Sequence, residues 1–187
     1  MTMPIGDLIR PADAGDPEAV TALFTALYRE LHTIAEREVH RAGGSLTLGT
    51  TTLLHEAYLR LSERDRVHFE GRGHFLAYAA RSMRRLMIDY SRQRRAQKRG
   101  GEFHITSSGL EQAPGQPATV PEDLEQLGTA LDTLGEAEPG LAQLVDLHFF
   151  CGFSFVEIAE LRGVSERTVQ RDWRKARLLL HRAVQDT

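Results

Sequence analysis

The chain of 187 residues contains a single cysteine, Cys151, so a disulfide within the chain is excluded. Cys151 stands in an apolar run, and we expect it to belong to the core. No apolar stretch reaches the ~18 residues that a membrane-spanning helix needs. The N-terminus also lacks the charged-then-apolar pattern of a signal sequence. These absences favour a cytoplasmic protein with no membrane partner.

The usual signatures of an enzyme are also missing. The sequence has no glycine-rich phosphate loop after a strand and no cysteine pair for a metal, and its eight histidines are scattered. His55 and Glu56 are adjacent, but a zinc-protease helix needs a second histidine four residues after the first. We therefore expect a protein that is not an enzyme, binds no metal or cofactor and has no small-molecule substrate.

No segment alternates apolar and polar residues as a half-buried strand would, so an all-α fold is predicted. A first helix is expected from Asp16-Pro17 to about Arg41, because aspartate caps helices and proline is favoured in their first turn. Gly43-Gly44 would end it. A threonine-rich turn at residues 47–52 would open a second helix, which continues through Leu61.

A third helix is predicted from Phe75 to about Lys98, after a polar loop. Residues 103–121 contain Gly, Pro, Ser and Gln without periodicity, which is typical of a flexible linker. The predicted organisation is therefore two small helical domains, residues 1–102 and 122–187, on either side of the linker at 103–121.

Charge is segregated along the chain, although its net value is only −3. Residues 81–99 contain eight Lys/Arg against one acid, and residues 167–182 contain six against one. Residues 122–166 are acidic, with Arg162 as the only base. Two separate basic blocks indicate two contacts with a polyanion, although a single charge run is more often a solvated helix face.

Residues 153–178 have the pattern of a helix-turn-helix. A short helix carrying Ile158 and Ala159 would end at Gly163, since glycine readily takes the left-handed conformation, and Ser165 would cap the next helix. The apolar side of that second helix is predicted to comprise Val169, Trp173, Ala176 and Leu180. Its opposite side carries long donors suited to bases and phosphates: Arg167, Thr168, Gln170, Arg171, Arg174 and Lys175. The alternative is an ordinary helical hairpin with a solvated basic face.

From residue 22 to residue 183 the chain resembles a bacterial sigma factor of the extracytoplasmic-function (ECF) group, in the sigma-70 family. Three segments carry the resemblance: residues 53–61, residues 75–95 and the helix-turn-helix. The resemblance implies that the first docks on the clamp-helix coiled coil of core RNA polymerase. The second would melt the −10 element of promoter DNA, and the third would read the −35 element in the major groove.

The resemblance also implies site residues. Those expected to contact polymerase are Leu53, Leu54, Glu56, Ala57 and Arg60. Those expected at the −10 element are Tyr78, Arg81, Arg84, Arg85, Arg92 and Arg95. In the family an Ala-Arg-Asn triplet is common where this chain has Met83-Arg84-Arg85, and Tyr78 stands where tryptophan is usual.

A sharper departure lies just before the docking segment. The family usually has an Asp-Ala-Glu-Asp run there, whereas this chain has Gly49-Thr50-Thr51-Thr52. We expect a Ser/Thr kinase to restore the missing negative charge, with Thr51 as the first choice, Thr52 as the second and Thr50 as the third. The competing interpretation is that these threonines only cap the helix.

A helix-turn-helix regulator of the response-regulator type, acting without replacing sigma, is the alternative function. It would need a receiver or ligand domain within the first ~100 residues, and these show no alternation of strands and helices.

Overall fold

A computed structural model describes residues 5–14, 16–42, 48–62, 69–98 and 122–185. All regular structure in those ranges is helical, which confirms the all-α prediction. The predicted linker at 103–121 and the predicted stop at Gly43-Gly44 lie outside the described residues.

Helices on both sides of residues 99–121 make up the described fold. The N-terminal half contains α1 (Ile5–Asp13), α2 (Pro17–Ala26), α3 (Tyr28–Arg41), α4 (Thr50–Ser62) and α5 (Arg72–Lys98). The C-terminal half contains α6 (Glu122–Ala137), α7 (Pro139–Val145), a π-helical turn (Asp146–Phe150), α8 (Phe155–Arg162) and α9 (Glu166–Gln185).

The predicted first helix is divided into α2 and α3 at Leu27, whose backbone departs from helical geometry at φ −103° and ψ 13°. Its start is as predicted, because Asp16 accepts hydrogen bonds from the amides of Glu18 and Ala19. The sequence pattern did not predict α1, a short helix with Pro11 inside it. The third predicted helix begins at Arg72, three residues before Phe75.

The core is continuous between the two halves. Phe75, Met83 and Met87 of α5 are fully buried, and α5 packs against α3 and α4 of the N-terminal half and against α6 and the π turn of the C-terminal half. Leu131 of α6 and Phe150 of the π turn belong to the same apolar cluster. The two halves therefore share buried apolar surface, the dominant favourable term in folding.

The unit of α8 and α9 follows from local signals in the sequence. Ser154 and Glu157 form a reciprocal capping box at the start of α8. Gly163 ends α8 in the left-handed region at φ 63°, and Ser165 accepts a hydrogen bond from the Thr168 amide at 3.2 Å. The predicted inner face of α9 is confirmed, since its members Val169, Ala176 and Leu180 are buried and Trp173 packs beside them.

Glu38 of α3 is a carboxylate in the core, with no exposed surface. Arg41 donates a hydrogen bond of 2.8 Å to it, and Arg84 and Asp146 are the other charged groups that act on it. Burial outweighs the opposing effect of the two arginines and raises the pKa of Glu38 to about 7. The core thus contains an acid that ionises near neutral pH.

Gly163→Ala is expected to destabilise the protein by roughly 1–2 kcal/mol, because a Cβ is disfavoured in the left-handed conformation. Gly140 provides the matched control, since it lies within α7 and a Cβ added there would meet nothing within 4 Å. Gly140→Ala should stabilise the protein by up to about 1 kcal/mol. Urea unfolding monitored by circular dichroism measures both, and equal effects of the two substitutions would contradict the assignment of Gly163 as a left-handed stop.

Glu38→Gln is expected to flatten the pH dependence of stability. A pKa raised from 4.5 to about 7 means that the folded protein binds more protons than the unfolded chain in that interval. Stability from this group is therefore present at low pH and lost as the pH rises through about 7. Thermal melts from about pH 5 to about pH 8 should show a smaller decline for Glu38→Gln than for wild type. The exposed Glu160→Gln is the control, and identical slopes for all three proteins would contradict the burial of an ionisable Glu38.

Candidate nucleic-acid interface

The first basic block lies on α5, where Arg81, Arg84, Arg85 and Arg92 face acids of the C-terminal half. Arg84, predicted to contact the −10 element, is only 1% exposed and lies 2.6 Å from the Asp146 carboxylate. Asp146 is itself 6% exposed at the side chain, and burial raises its pKa while Arg84 opposes that rise. The Arg84 guanidinium also lies over the Phe150 ring, 4.4 Å from its centre. In this conformation Arg84 is not accessible to a polyanion.

Arg81 and Arg85 share one partner. Asp132 of α6 accepts a hydrogen bond from Arg81 at 3.3 Å, and its two oxygens lie 2.9 and 3.3 Å from Arg85 nitrogens. All three side chains are about one-third exposed. Surface pairs of this kind contribute little stability, up to ~1 kcal/mol each. These ion pairs therefore occupy the two guanidinium groups but add little to the stability of the fold.

Three further residues expected at the −10 element differ in their surroundings. Arg92 is 57% exposed and lies 3.9 Å from Glu125, the loosest of these ion pairs. Tyr78 is half-buried, with its ring 5.6 Å from that of Phe69 and nearly perpendicular to it. The side chain of Arg95 lies outside the described residues, as do residues 63–68 of the preceding loop. Tyr78 thus has packing partners of its own within the N-terminal half.

The second basic block, on α9, is open to solvent. The Arg171 side chain is 74% exposed, and Arg167 and Arg174 are exposed as well. The ion pair of Arg171 is with Asp172, the next residue along the same helix, at 3.1 Å. Gln170 donates to Glu166 at 2.9 Å, and Lys175 donates to Glu138 at 2.7 Å. The donors predicted for duplex DNA therefore occupy one accessible helix face, in contrast to those on α5.

Helix α4 separates its apolar and polar residues. Leu53, Leu54 and Ala57, expected to contact polymerase, are buried in the core and do not form its surface here. Glu56 is half-buried, and Arg60, which is 46% exposed, lies 3.4 Å from Asp89. Any protein that docks on α4 in this conformation meets polar groups.

The threonines lie in the first turn of α4. The carbonyl of Gly49 accepts the first hydrogen bond of the helix, from the Leu53 amide at 3.0 Å, so Gly49 occupies the capping position. Thr50 and Thr52 are half-buried, whereas Thr51 is exposed. Thr50, Thr51 and Thr52 therefore follow the capping position, inside the first turn of the helix. An anion on Thr51 would stand where the helix dipole favours negative charge.

Sequence reasoning missed the acids that face α5. The acidity of residues 122–166 was a usable signal, but it did not indicate that Glu125, Asp132 and Asp146 pair with the basic block of α5. That pairing depends on how the two halves pack. Helical spacing does place two of the acids, Glu125 and Asp132, on one side of α6, seven residues apart.

Within the described ranges, no group of three His, Cys, Asp or Glu side chains is placed to hold a metal ion. The helices in the same ranges are all too short or too polar to cross a membrane.

Comparison with known proteins identifies the family. A family model described as ECF sigma factor matches residues 3–186. No curated protein and no solved structure matches the chain. ECF sigma factors act in transcription initiation with RNA polymerase. Because the match extends over nearly the whole sequence, the chain belongs to the ECF sigma factor family.

Proposed function

We propose that this protein binds core RNA polymerase, recognises the −35 and −10 elements of a promoter and starts transcription. The observation that carries the proposal is the unit of α8 and α9, two helices joined by a turn, of which the second has a buried apolar side and an open basic side. We interpret this unit as a helix-turn-helix. Gly163 and Ser165 form the turn between the two helices, and α9 packs against α6, α7 and α8.

The N-terminal part of α9 would enter the major groove at −35. Arg167, Gln170 and Arg171 stand nearest that end and are suited to base edges, since arginine pairs with guanine and glutamine with adenine through two hydrogen bonds. Arg174 and Lys175, one turn further along, are suited to phosphates. Thr168 is tied to Ser165 at 2.9 Å and contributes mainly to the turn.

The basic face of α5 would follow the DNA backbone at the −10 element. Single-stranded DNA is bound by a basic track combined with aromatic groups, and α5 offers Arg81, Arg85 and Arg92 along one side with Tyr78 near its start. Two protein domains, residues 1–102 and 122–187, would then bind the −10 and −35 elements respectively, and residues 103–121 would connect the two domains.

Docking on the clamp-helix coiled coil of polymerase would use the exposed side of α4. The buried Leu53, Leu54 and Ala57 pack α4 against the core, while Glu56, Arg60 and the threonines supply its polar surface. In place of the acidic run usual in the family, this surface carries the neutral Thr50, Thr51 and Thr52. A Ser/Thr kinase would complete it by phosphorylating Thr51, the most exposed of the three.

A phosphate would change this surface strongly. It adds about −1.5 to −2 charges at neutral pH and can form one to three charge-assisted hydrogen bonds with arginines of a partner. Its position in the first turn of α4 is one that the helix dipole stabilises.

Arg171→Ala is expected to weaken binding of the −35 element by ~1–3 kcal/mol, or about 5- to 150-fold, and to relax specificity at one base pair. The assay is run-off transcription with core polymerase, on a promoter selected from a random library by the reconstituted holoenzyme. Arg182→Ala, which removes an exposed arginine about three turns beyond Arg171 on the same helix, is the matched control. Unchanged promoter choice and affinity for Arg171→Ala would exclude this reading face. Failure of the wild-type protein to direct any transcription would exclude the function itself.

Phosphorylation at Thr51 is expected to turn weak polymerase binding into tight binding. We would compare unmodified protein, protein carrying phosphothreonine at residue 51 by semisynthesis, and Thr51→Ala, for core binding and for reporter transcription in cells. The phosphorylated form should bind core best, and Thr51→Ala should be inactive in cells. Thr33→Ala, which removes an exposed threonine of α3, is the control. Tight binding by the unmodified protein together with full activity of Thr51→Ala would rule out the switch.

A further inference from the structure

We propose that Asp172 is a positioning residue for the −35 element: it orients the guanidinium of Arg171, and Arg162 of α8 holds it in place. The inference rests on the proposed function, in which Arg171 contacts a base. It adds to that function the side chains that determine how strongly one base is preferred over the others.

Asp172 is an acid on a surface that is otherwise suited to a polyanion. Residues 167–182 contain six Lys/Arg and this one carboxylate. A negative charge close to DNA phosphates opposes binding, so its presence there calls for a compensating role. Asp172 is 28% exposed, and it lies at the edge of the basic face, because Val169 three residues earlier and Ala176 four residues later are buried.

The Asp172 carboxylate binds one edge of the Arg171 guanidinium. Its Oδ1 accepts hydrogen bonds from Nε at 3.3 Å and from Nη2 at 3.1 Å. An arginine has five N–H donors, so this contact uses two of them and leaves the other three, whereas a guanine edge needs only two. The Arg171 side chain is 74% exposed, so its remaining donors are accessible to a base. Asp172 and guanine can therefore bind Arg171 at the same time.

An exposed arginine without such a partner samples many rotamers and loses that freedom when it binds a base. A side chain that is already ordered loses less, which favours the bound geometry that the order matches. A mobile arginine also reaches phosphates, and contacts with phosphates carry no sequence information. Orientation by Asp172 should therefore increase base preference, while its charge lowers affinity for DNA in general.

Arg162, the last residue of α8, supports Asp172 from the neighbouring helix. Its Nη2 donates a hydrogen bond to the carbonyl of Gly140 at 2.7 Å and another to the Gln143 side chain at 3.3 Å, both in α7. Partial burial lowers the pKa of Arg162, and the negative charge of Asp172 opposes that shift. Arg162 is thus bound to α7 and attracts the carboxylate of α9.

Helix α9 is itself fixed to the same end of α7. Lys175, three residues after Asp172, donates a hydrogen bond of 2.7 Å to Glu138, which immediately precedes α7. Val169 of α9 and Leu144 of α7 belong to one apolar cluster. The backbone that carries Asp172 is therefore held against the helix to which Arg162 is bound, as a side chain that orients another requires.

The test measures the base preference of the reconstituted holoenzyme. Core polymerase with each variant selects duplexes from a random library at one salt concentration, and sequencing gives the preference at every position. Arg171→Ala identifies the base pair that Arg171 reads. Asp172→Ala should lower the preference at that base pair about two- to fivefold, the range of an exposed ion pair, and should raise affinity for unrelated duplex. Glu160→Ala, which removes an exposed acid of α8, is the matched control and should leave that preference unchanged.

A double-mutant cycle separates positioning from a general effect on the fold. When Arg171→Ala is already present, Asp172→Ala should cause no further loss, because the side chain that it orients is gone. Arg162→Met, which keeps an unbranched apolar stem but removes the link to α7, should lower the preference at the same base pair. Arg162→Lys, which keeps a positive charge near Asp172, should restore part of it.

An unchanged or stronger preference in Asp172→Ala would overturn the inference, since Asp172 would then only compete with the base for Arg171. A loss spread over all positions, or an equal loss with and without Arg171, would also overturn it and assign Asp172 a structural role. Wild-type preference in Arg162→Met would overturn the part assigned to α8. A wild-type holoenzyme that selects no sequence would instead remove the proposed function, and the inference with it.

Discussion

The Arg84 guanidinium and the Asp146 carboxylate lie 2.6 Å apart in a place that water scarcely reaches, and each ion depends on the other. Removing one partner of such a pair typically costs ~3–5 kcal/mol, because the remaining charge stays buried, whereas an apolar pair would often be as stable. The pair therefore acts less as a source of stability than as a constraint on position. It fixes the π turn against α5, and from there it sets α6 beside the other arginines of α5. Glu38 and Arg41 extend the same buried charge network into α3.

Local signals in the sequence predicted several helix ends and the buried side of α9. Asp16, Gly163 and Ser165 occupy the predicted ends of helices, and Val169, Ala176 and Leu180 form the predicted buried side of α9. Such features depend on hydrogen bonds and spacings within a few residues, which a sequence displays directly. The division at Leu27 and the short α1 were not predicted, because neither the break at Leu27 nor a nine-residue helix containing a proline has a strong local signature.

Such local signals could not predict how the two halves pack against each other. A basic run on one helix and acids on another look the same whether they face solvent or each other, so Arg84 was predicted to be accessible to DNA and is buried. Leu53, Leu54 and Ala57 were assigned to a docking surface by resemblance, and the structure places them in the core. Apolar periodicity distinguishes a buried face from an exposed one only when the partner is known. Thr51 and the arginines Arg167, Arg171 and Arg174 of α9 are exposed, and their roles remain proposals.

The proposed binding of the −10 strand by α5 requires α5 and α6 to separate in the holoenzyme, because α6 and the π turn occupy Arg81, Arg84 and Arg85 in this conformation. Double electron–electron resonance measures this separation directly, with spin labels on cysteines introduced at the exposed Gln93 and Glu136 after Cys151→Ala. The account predicts one short, narrow distance distribution for the free protein and a longer one in the complex with core polymerase and promoter DNA. The same short distance in a transcribing complex would contradict it.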